Sequence, residues 1–201
     1  MARRLKAAER RASILAVAKV LFADRGYHGV SVDEIAKRLG VSPAVLYQHF
    51  DSKEALYEAV LNEIAGRRES YVEAALASPD DFGSVLARMT RVYIDSVARD
   101  PDYLKMEMHS VLEGAATAQQ FFDSRWKGFS DYIEVSLQEL APQGKVSKIN
   151  PRVASLMFQG IVREALYAKC IYHSKRYKDL ALHALANQLI QLFLKAIDYK
   201  R

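Results

Sequence analysis

A chain of 201 residues, 50% of them hydrophobic, is long enough to bury one sizeable core or two smaller ones. Its net charge of +5 favours a polyanionic or acidic partner, and its single cysteine, Cys170, excludes an internal disulfide framework and fits a reducing cytoplasm. No stretch approaches the ~20 apolar residues of a membrane span, so the expectation is a cytoplasmic protein with no membrane partner.

The first predicted helix carries Ile14, Ala18, Leu21 and Phe22 on one face and stops at Gly26. Arg3, Arg4, Lys6, Arg10 and Arg11 precede its apolar run and imitate a signal peptide. Lys19 splits the run, however, Asp24 and Arg25 close it, and no small-residue cleavage site follows. Next, Ser31 stands as an N-cap with Glu34 three residues on, the pattern of a reciprocal capping box. Ile35, Ala36 and Leu39 give this second helix an inner face, and Gly40 ends it where a left-handed backbone is needed. Ser42 is placed to cap a third helix of about two turns, with Pro43 at its first position. Leu46 and Phe50, four apart, turn this helix inward and leave Ala44, Val45, Tyr47 and Gln48 outward. Asp51 is then placed to cap a further helix, with Glu54 at N3. Helix, tight glycine turn and short helix make a helix-turn-helix. Small Ala36 lets its two helices cross closely. Lys53, in the first turn of the next helix, works against the helix dipole unless a phosphate sits there.

One amphipathic helix is expected from Ser52 to Ala77 through Leu56, Val60, Ile64, Val72 and Leu76, broken at Pro79. Another runs to about Arg99, a short one ends at Gly114, and "AQQFFDSRWKGFSDYIEVSLQEL" continues as helix to "APQGK". The last two are expected from Pro151 to Tyr172 and from about Tyr177 to Ile197. No segment alternates with period two over a strand length, so the fold class is all-α.

The string "GYHGVSVDEIAKRLGVSPAVLYQHFDSKEAL" closely resembles the DNA-binding segment of TetR-like (TetR/AcrR-type) transcriptional regulators. With the preceding helix the resemblance covers roughly the first third of the chain; the rest is similar only in layout. It implies a three-helix helix-turn-helix DNA-binding domain over residues 8–68, with its motif at about 31–50. A long helix would join this to a helical ligand-binding and dimerisation domain over 69–201. It also implies a homodimer formed through the last two helices, each subunit setting one recognition helix into double-stranded DNA at a near-palindromic operator. The expected function is repression released by a small apolar or aromatic effector; the alternative is a DNA-binding interaction protein of the same fold without a small ligand.

Carried over by position, Tyr47 and Lys53 match residues that bond phosphates, and Ser31 and Ser42 lie where hydroxyls and N–H groups face the DNA backbone. Pro43, Ala44, Val45 and Gln48 take the positions that approach base edges. Gln48 suits adenine N6/N7, and Ala44 and Val45 suit thymine methyls. His49 matches a family residue too, and its simpler role is a local hydrogen bond that orients the helix. The basic residues before Glu9 suit a minor groove or flanking phosphates, or equally a solvated tail. Residues 1–60 hold ten basic and seven acidic side chains, over half of the net charge on under a third of the chain.

The last two helices carry apolar residues on more than one face, which suits the four-helix dimer interface that the resemblance implies, the alternative being that both faces are buried within one subunit. Gly160 and Ala165 would allow close approach there, with Leu185, Leu189, Leu192 and Phe193 supplying bulk. Candidate pocket residues are Met106, His109, Phe122, Trp126, Phe129, Phe158 and Tyr167, each of which equally fits an ordinary core. Arg125 or Glu164 could select a polar group. The five histidines show no metal-ligand spacing and no glycine-rich phosphate loop is present, so no enzyme activity, metal or cofactor is expected.

Overall fold

A computed structural model of the chain describes residues 7–66, 80–113 and 116–201, with the side chains of 65, 66, 116–119 and 125 outside the description. The basic tail at Arg3, Arg4 and Lys6, the continuation of the helix through Val72 and Leu76, the break at Pro79 and the stop at Gly114 all lie outside the described residues, as does the Arg125 side chain. Among the described residues every regular element is helical, and no helix is long and apolar enough to cross a membrane. The chain divides into two compact units, Met1–Arg67 with Asp102–Phe121, and Arg68–Pro101 with Phe122–Arg201.

In the first unit, α1 (Ala7–Arg25) buries Ile14, Leu15, Ala18, Leu21, Phe22 and Ala23, a stripe at helical spacing. It stops at Gly26, where φ is 73°. After α2 (Val32–Leu39) and α3 (Pro43–Tyr47) comes α4 (Lys53–Gly66), which buries Leu56, Tyr57, Val60, Leu61 and Ile64. The Phe22 and Tyr57 rings meet edge to face at 4.9 Å between α1 and α4. This unit also includes α6 (Asp102–Glu113), which packs on α1. Lys105 pairs there with Asp24 at 2.9 Å, and Tyr103, Leu104 and Met106 are fully buried. By sequence α6 lies beyond the expected division at 68/69, and it packs against α1 of the first unit.

In the second unit the Asp81 carboxylate caps α5 (Phe82–Arg99) by accepting from the Ser84 N–H at 3.2 Å. Along α7 (Ala116–Leu140), Phe122, Trp126, Phe129, Ile133 and Leu137 recur at three- and four-residue steps and are buried. They face α5, α8 (Pro151–Leu166) and α9 (Leu182–Ala196) across a chain of rings: Tyr93 to Trp126 at 4.9 Å, Trp126 to Phe129 at 5.5 Å, Phe129 to Phe158 at 5.9 Å and Phe158 to Phe193 at 5.0 Å. Polar pairs line the α7–α8 seam, with Ser155 donating to Glu134 at 2.8 Å and Gln159 to Ser130 at 2.6 Å.

Two boundaries differ from expectation here. The helix begun at Pro151 leaves α geometry at Leu166 and continues as a π-helical turn, Tyr167–Ile171. The last helix starts at Leu182 rather than near Tyr177, and Lys175–Tyr177 form a separate 3₁₀ turn. In the stretch between them the Lys169 ammonium donates to the carbonyls of Tyr177 and Lys178, at 2.9 and 3.3 Å.

Candidate nucleic-acid interface

α2 and α3 meet through a turn that the local sequence specifies. Ser31 Oγ accepts from the Glu34 N–H at 3.1 Å. The Glu34 carboxylate turns outward to Arg25 at 2.5 Å instead of closing a reciprocal box. Gly40, at φ 68° and ψ 33°, sends its N–H to Lys37 O at 3.1 Å, and Val41 N–H reaches back to Ala36 O at 3.0 Å. This six-to-one bond ends the helix and launches the chain at a fixed angle. Ser42 holds the expected N-cap position, extended and exposed, but its hydroxyl makes no capping bond. The cap is replaced by backbone alone, Val45 N–H to Ser42 O at 3.0 Å.

α3 is shorter than expected. It ends at Tyr47, Gln48 is its C-cap, and Phe50 N–H still reaches Leu46 O at 3.0 Å. Leu46 and Phe50 are buried, with the Arg11 guanidinium of α1 4.9 Å from the Phe50 ring. Ala36 is buried behind them, which lets α2 and α3 cross closely. On the outer side Ala44, Tyr47 and Gln48 are exposed, Tyr47 at 53%, while Pro43, Val45 and His49 are half-buried. A short helix is thus anchored by two side chains and offers the others to solvent.

The start of α4 differs from the expected pattern by one residue. Ser52, not Asp51, is the cap: its Oγ accepts from the Ala55 N–H at 3.1 Å. Glu54 does not close a box either, and accepts instead from the Tyr27 hydroxyl. Burial first and Glu54 second raise the Tyr27 phenol well above its ordinary value. The hydroxyl bond from Tyr27 is the chief reason that Glu54 is lowered.

Lys53 has partners that no local pattern reveals. Its ammonium donates to Tyr27 O at 2.8 Å and Val30 O at 2.9 Å, and lies 4.1 Å from the Tyr27 ring centroid. These carbonyls offset the unfavourable helix dipole, and one of the three N–H groups of the ammonium remains beyond the two so used. The same turn is gripped from its other side by Glu113 at the end of α6. That carboxylate accepts from the Tyr27 and His28 N–H groups at 2.9 and 3.3 Å. Burial first and Glu113 second push the buried Tyr57 phenol up to about 12. Glu113 stands 86 residues from Tyr27, and nothing in its surrounding sequence singles it out.

The candidate pocket residues divide between the units. Met106 is fully buried in the first, and His109 Nδ1 lies 3.0 Å from where a side chain on Gly26 would begin. Phe122, Trp126, Phe129 and Phe158 are buried in the aromatic chain of the second, with Arg163 5.4 Å from the Trp126 ring, and Tyr167 is half-buried in the π-helical turn. Two clefts of about 590 and 370 Å³, one along α1 and α4 and one along α5 and α9, are lined by other residues.

A capped helix, a left-handed glycine turn and a short, anchored, outward-facing helix define a helix-turn-helix protein. Residues 14–60, the segment that holds the helix-turn-helix, match the family described as bacterial regulatory proteins, tetR family. It is 43% identical to the HTH-type transcriptional activator FasR of Mycolicibacterium smegmatis over 97 residues, 48% of this chain. That match spans under half, 44%, of FasR. A fatty acid metabolism regulator protein of Bacillus subtilis is 23% identical over 93% of this chain and 95% of its own length. The solved structure of AibR in complex with isovaleryl coenzyme A and operator DNA superposes with a TM-score of 0.71 at 26% identity, covering 95% of this chain and 100% of AibR.

Proposed function

We propose that the chain is a sequence-specific DNA-binding regulator of transcription that acts as a homodimer on a near-palindromic operator. The observation that carries this reading is the division of α3, with Leu46 and Phe50 holding it from behind and Ala44, Tyr47 and Gln48 standing outward. A helix supported in this way suits a major groove. Pro43, Ala44, Val45 and Gln48 would meet base edges, and Ser31, Ser42, Tyr47 and Lys53 would meet phosphates. His49 would orient the helix from within.

In the proposed mode of regulation, an apolar effector taken by the second unit releases a repressor from DNA. The names of the Bacillus subtilis relative and of the AibR complex support an acyl chain as that effector, and Phe122, Trp126, Phe129, Phe158 and Tyr167 are its proposed contacts. Selection of duplexes from a random library should enrich a dyad-symmetric sequence with half-site centres about one helical turn or somewhat more apart. Enrichment of no sequence, or of one without a dyad, would overturn the reading. Acyl-coenzyme A thioesters of graded length should then weaken binding by ~5–150-fold. Unchanged affinity across the series would remove the acyl effector and leave DNA binding standing.

A further inference from the structure

The α1–α2 turn is held by opposite charges on the two ends of one peptide group. The Tyr27–His28 peptide offers its carbonyl to the Lys53 ammonium at 2.8 Å and its N–H to a Glu113 carboxylate oxygen at 3.3 Å. The other carboxylate oxygen takes the Tyr27 N–H at 2.9 Å, and Lys53 also takes Val30 O at 2.9 Å. A peptide dipole aligned between an anion and a cation strengthens both bonds. The backbone at Gly26 is shaped for this contact. At φ 73° it favours glycine, and a Cβ there would stand 2.0 Å from the Glu113 carboxylate.

We infer that Glu113 is a positioning residue for DNA binding: by gripping the Tyr27–His28 turn it sets where the Lys53 ammonium stands at the start of α4. The inference rests on the DNA-binding reading of Lys53. It carries a distinctive sign. An acidic side chain in a DNA-binding unit opposes a polyanion, so removing it should strengthen binding by charge alone. If Glu113 acts through the turn, removing it weakens binding instead.

The test uses the full chain and the duplex it enriches from a random library, with Glu113→Gln, Glu113→Ala, Lys53→Ala and the Glu113→Gln/Lys53→Ala pair. Amide hydrogen exchange without DNA is expected to speed up at Tyr27 and His28 in Glu113→Ala. Glu113→Gln, which keeps one acceptor oxygen, should show a smaller change. Affinity for the duplex should fall roughly tenfold in Glu113→Ala, the worth of about one charge-assisted hydrogen bond, and less in Glu113→Gln. The slope of log K against log salt should flatten toward that of Lys53→Ala, about one unit per subunit. In the pair, the two effects should combine to less than their product, because both act through one turn.

Unchanged exchange at Tyr27 and His28 would overturn the clamp whatever happens with DNA. Faster exchange with equal or tighter DNA binding would make Glu113 merely structural. If Glu113→Ala does not fold, Glu113→Gln carries the same comparison. If the unmodified chain enriches no duplex, the DNA-binding reading has failed and the inference with it, while the exchange data still decide the clamp.

Discussion

Gly26 and Gly40 hold nearly the same left-handed backbone, at φ 73° and 68°, in different surroundings. A side chain on Gly40 would meet nothing within 4 Å, whereas one on Gly26 would collide with Glu113. Gly40→Ala should therefore cost only the conformational strain, about 1–2 kcal/mol. Gly26→Ala should cost measurably more, because it also displaces the carboxylate that holds Tyr27 and His28. Urea unfolding of the two variants decides, and equal losses would contradict the role given to Glu113. At the C-cap of α3, Gln48→Ala should relax preference at one base pair of each half-site by about 1–3 kcal/mol; selected sites that keep the preference would take Gln48 off the bases. Both glycines were legible as helix stops because a positive φ has a local signature. The partners of Lys53 were not. The sequence shows a lysine against the helix dipole, and only the fold brings the carbonyls of Tyr27 and Val30 to it.

Helix starts depend on a single hydroxyl or carboxylate, so they are easy to locate and hard to place to the residue. Asp51 and Ser52 are both good caps, and the backbone chose Ser52. Ser31→Ala and Ser52→Ala should each cost about 1 kcal/mol in thermal or urea unfolding, and Asp51→Ala far less. If Asp51→Ala costs as much as Ser52→Ala, the cap is misplaced. At the start of α5, Asp81 accepts from Arg201 at 2.9 and 2.7 Å and from the Tyr199 hydroxyl at 3.1 Å, besides Ser84. Burial pushes its carboxyl up, but the bonds from Ser84, Arg201 and Tyr199 outweigh this and hold it well below the ordinary 3.8. Stability from such a group is fully present above the ordinary carboxylate value and is lost as pH falls through the lower folded one. Asp81→Asn keeps a capping oxygen and removes the charge. Its deficit against the unmodified chain should be largest near neutral pH and shrink on strong acidification, and a deficit independent of pH would rule the charge out.

The two long C-terminal helices show how far an apolar pattern can be taken. Their excess of hydrophobic residues was visible, but which residues face inward was not, since the pattern wraps more than one face. Ala165 and Phe193, expected to face a partner, are buried within the unit. Val153, Leu156 at 68% exposure and Leu192 at 60% remain outward, beside exposed Gly160. These belong to the face proposed for the homodimer, so Leu156→Glu should raise the dimer dissociation constant by at least tenfold in sedimentation at micromolar concentration. A variant that sediments as the unmodified chain does would place the dimer elsewhere. That α6 packs on α1 is not legible in the sequence for a similar reason. Its apolar face identifies a buried helix but does not say against which core.

The aromatic chain of the second unit includes the only tryptophan of the protein, Trp126, buried to 4% exposure with the Tyr93 ring 4.9 Å away. At that separation tyrosine excitation passes to the indole, so indole emission reports the second unit alone and is blue-shifted while its core is dry. Loss of the helix-turn-helix leaves the colour of the emission unchanged but lowers far-ultraviolet circular dichroism, because α1 to α4 and α6 contribute ellipticity and no indole. The two signals recorded along one denaturation curve therefore tell apart a molecule that melts in a single step from one whose first unit melts on its own.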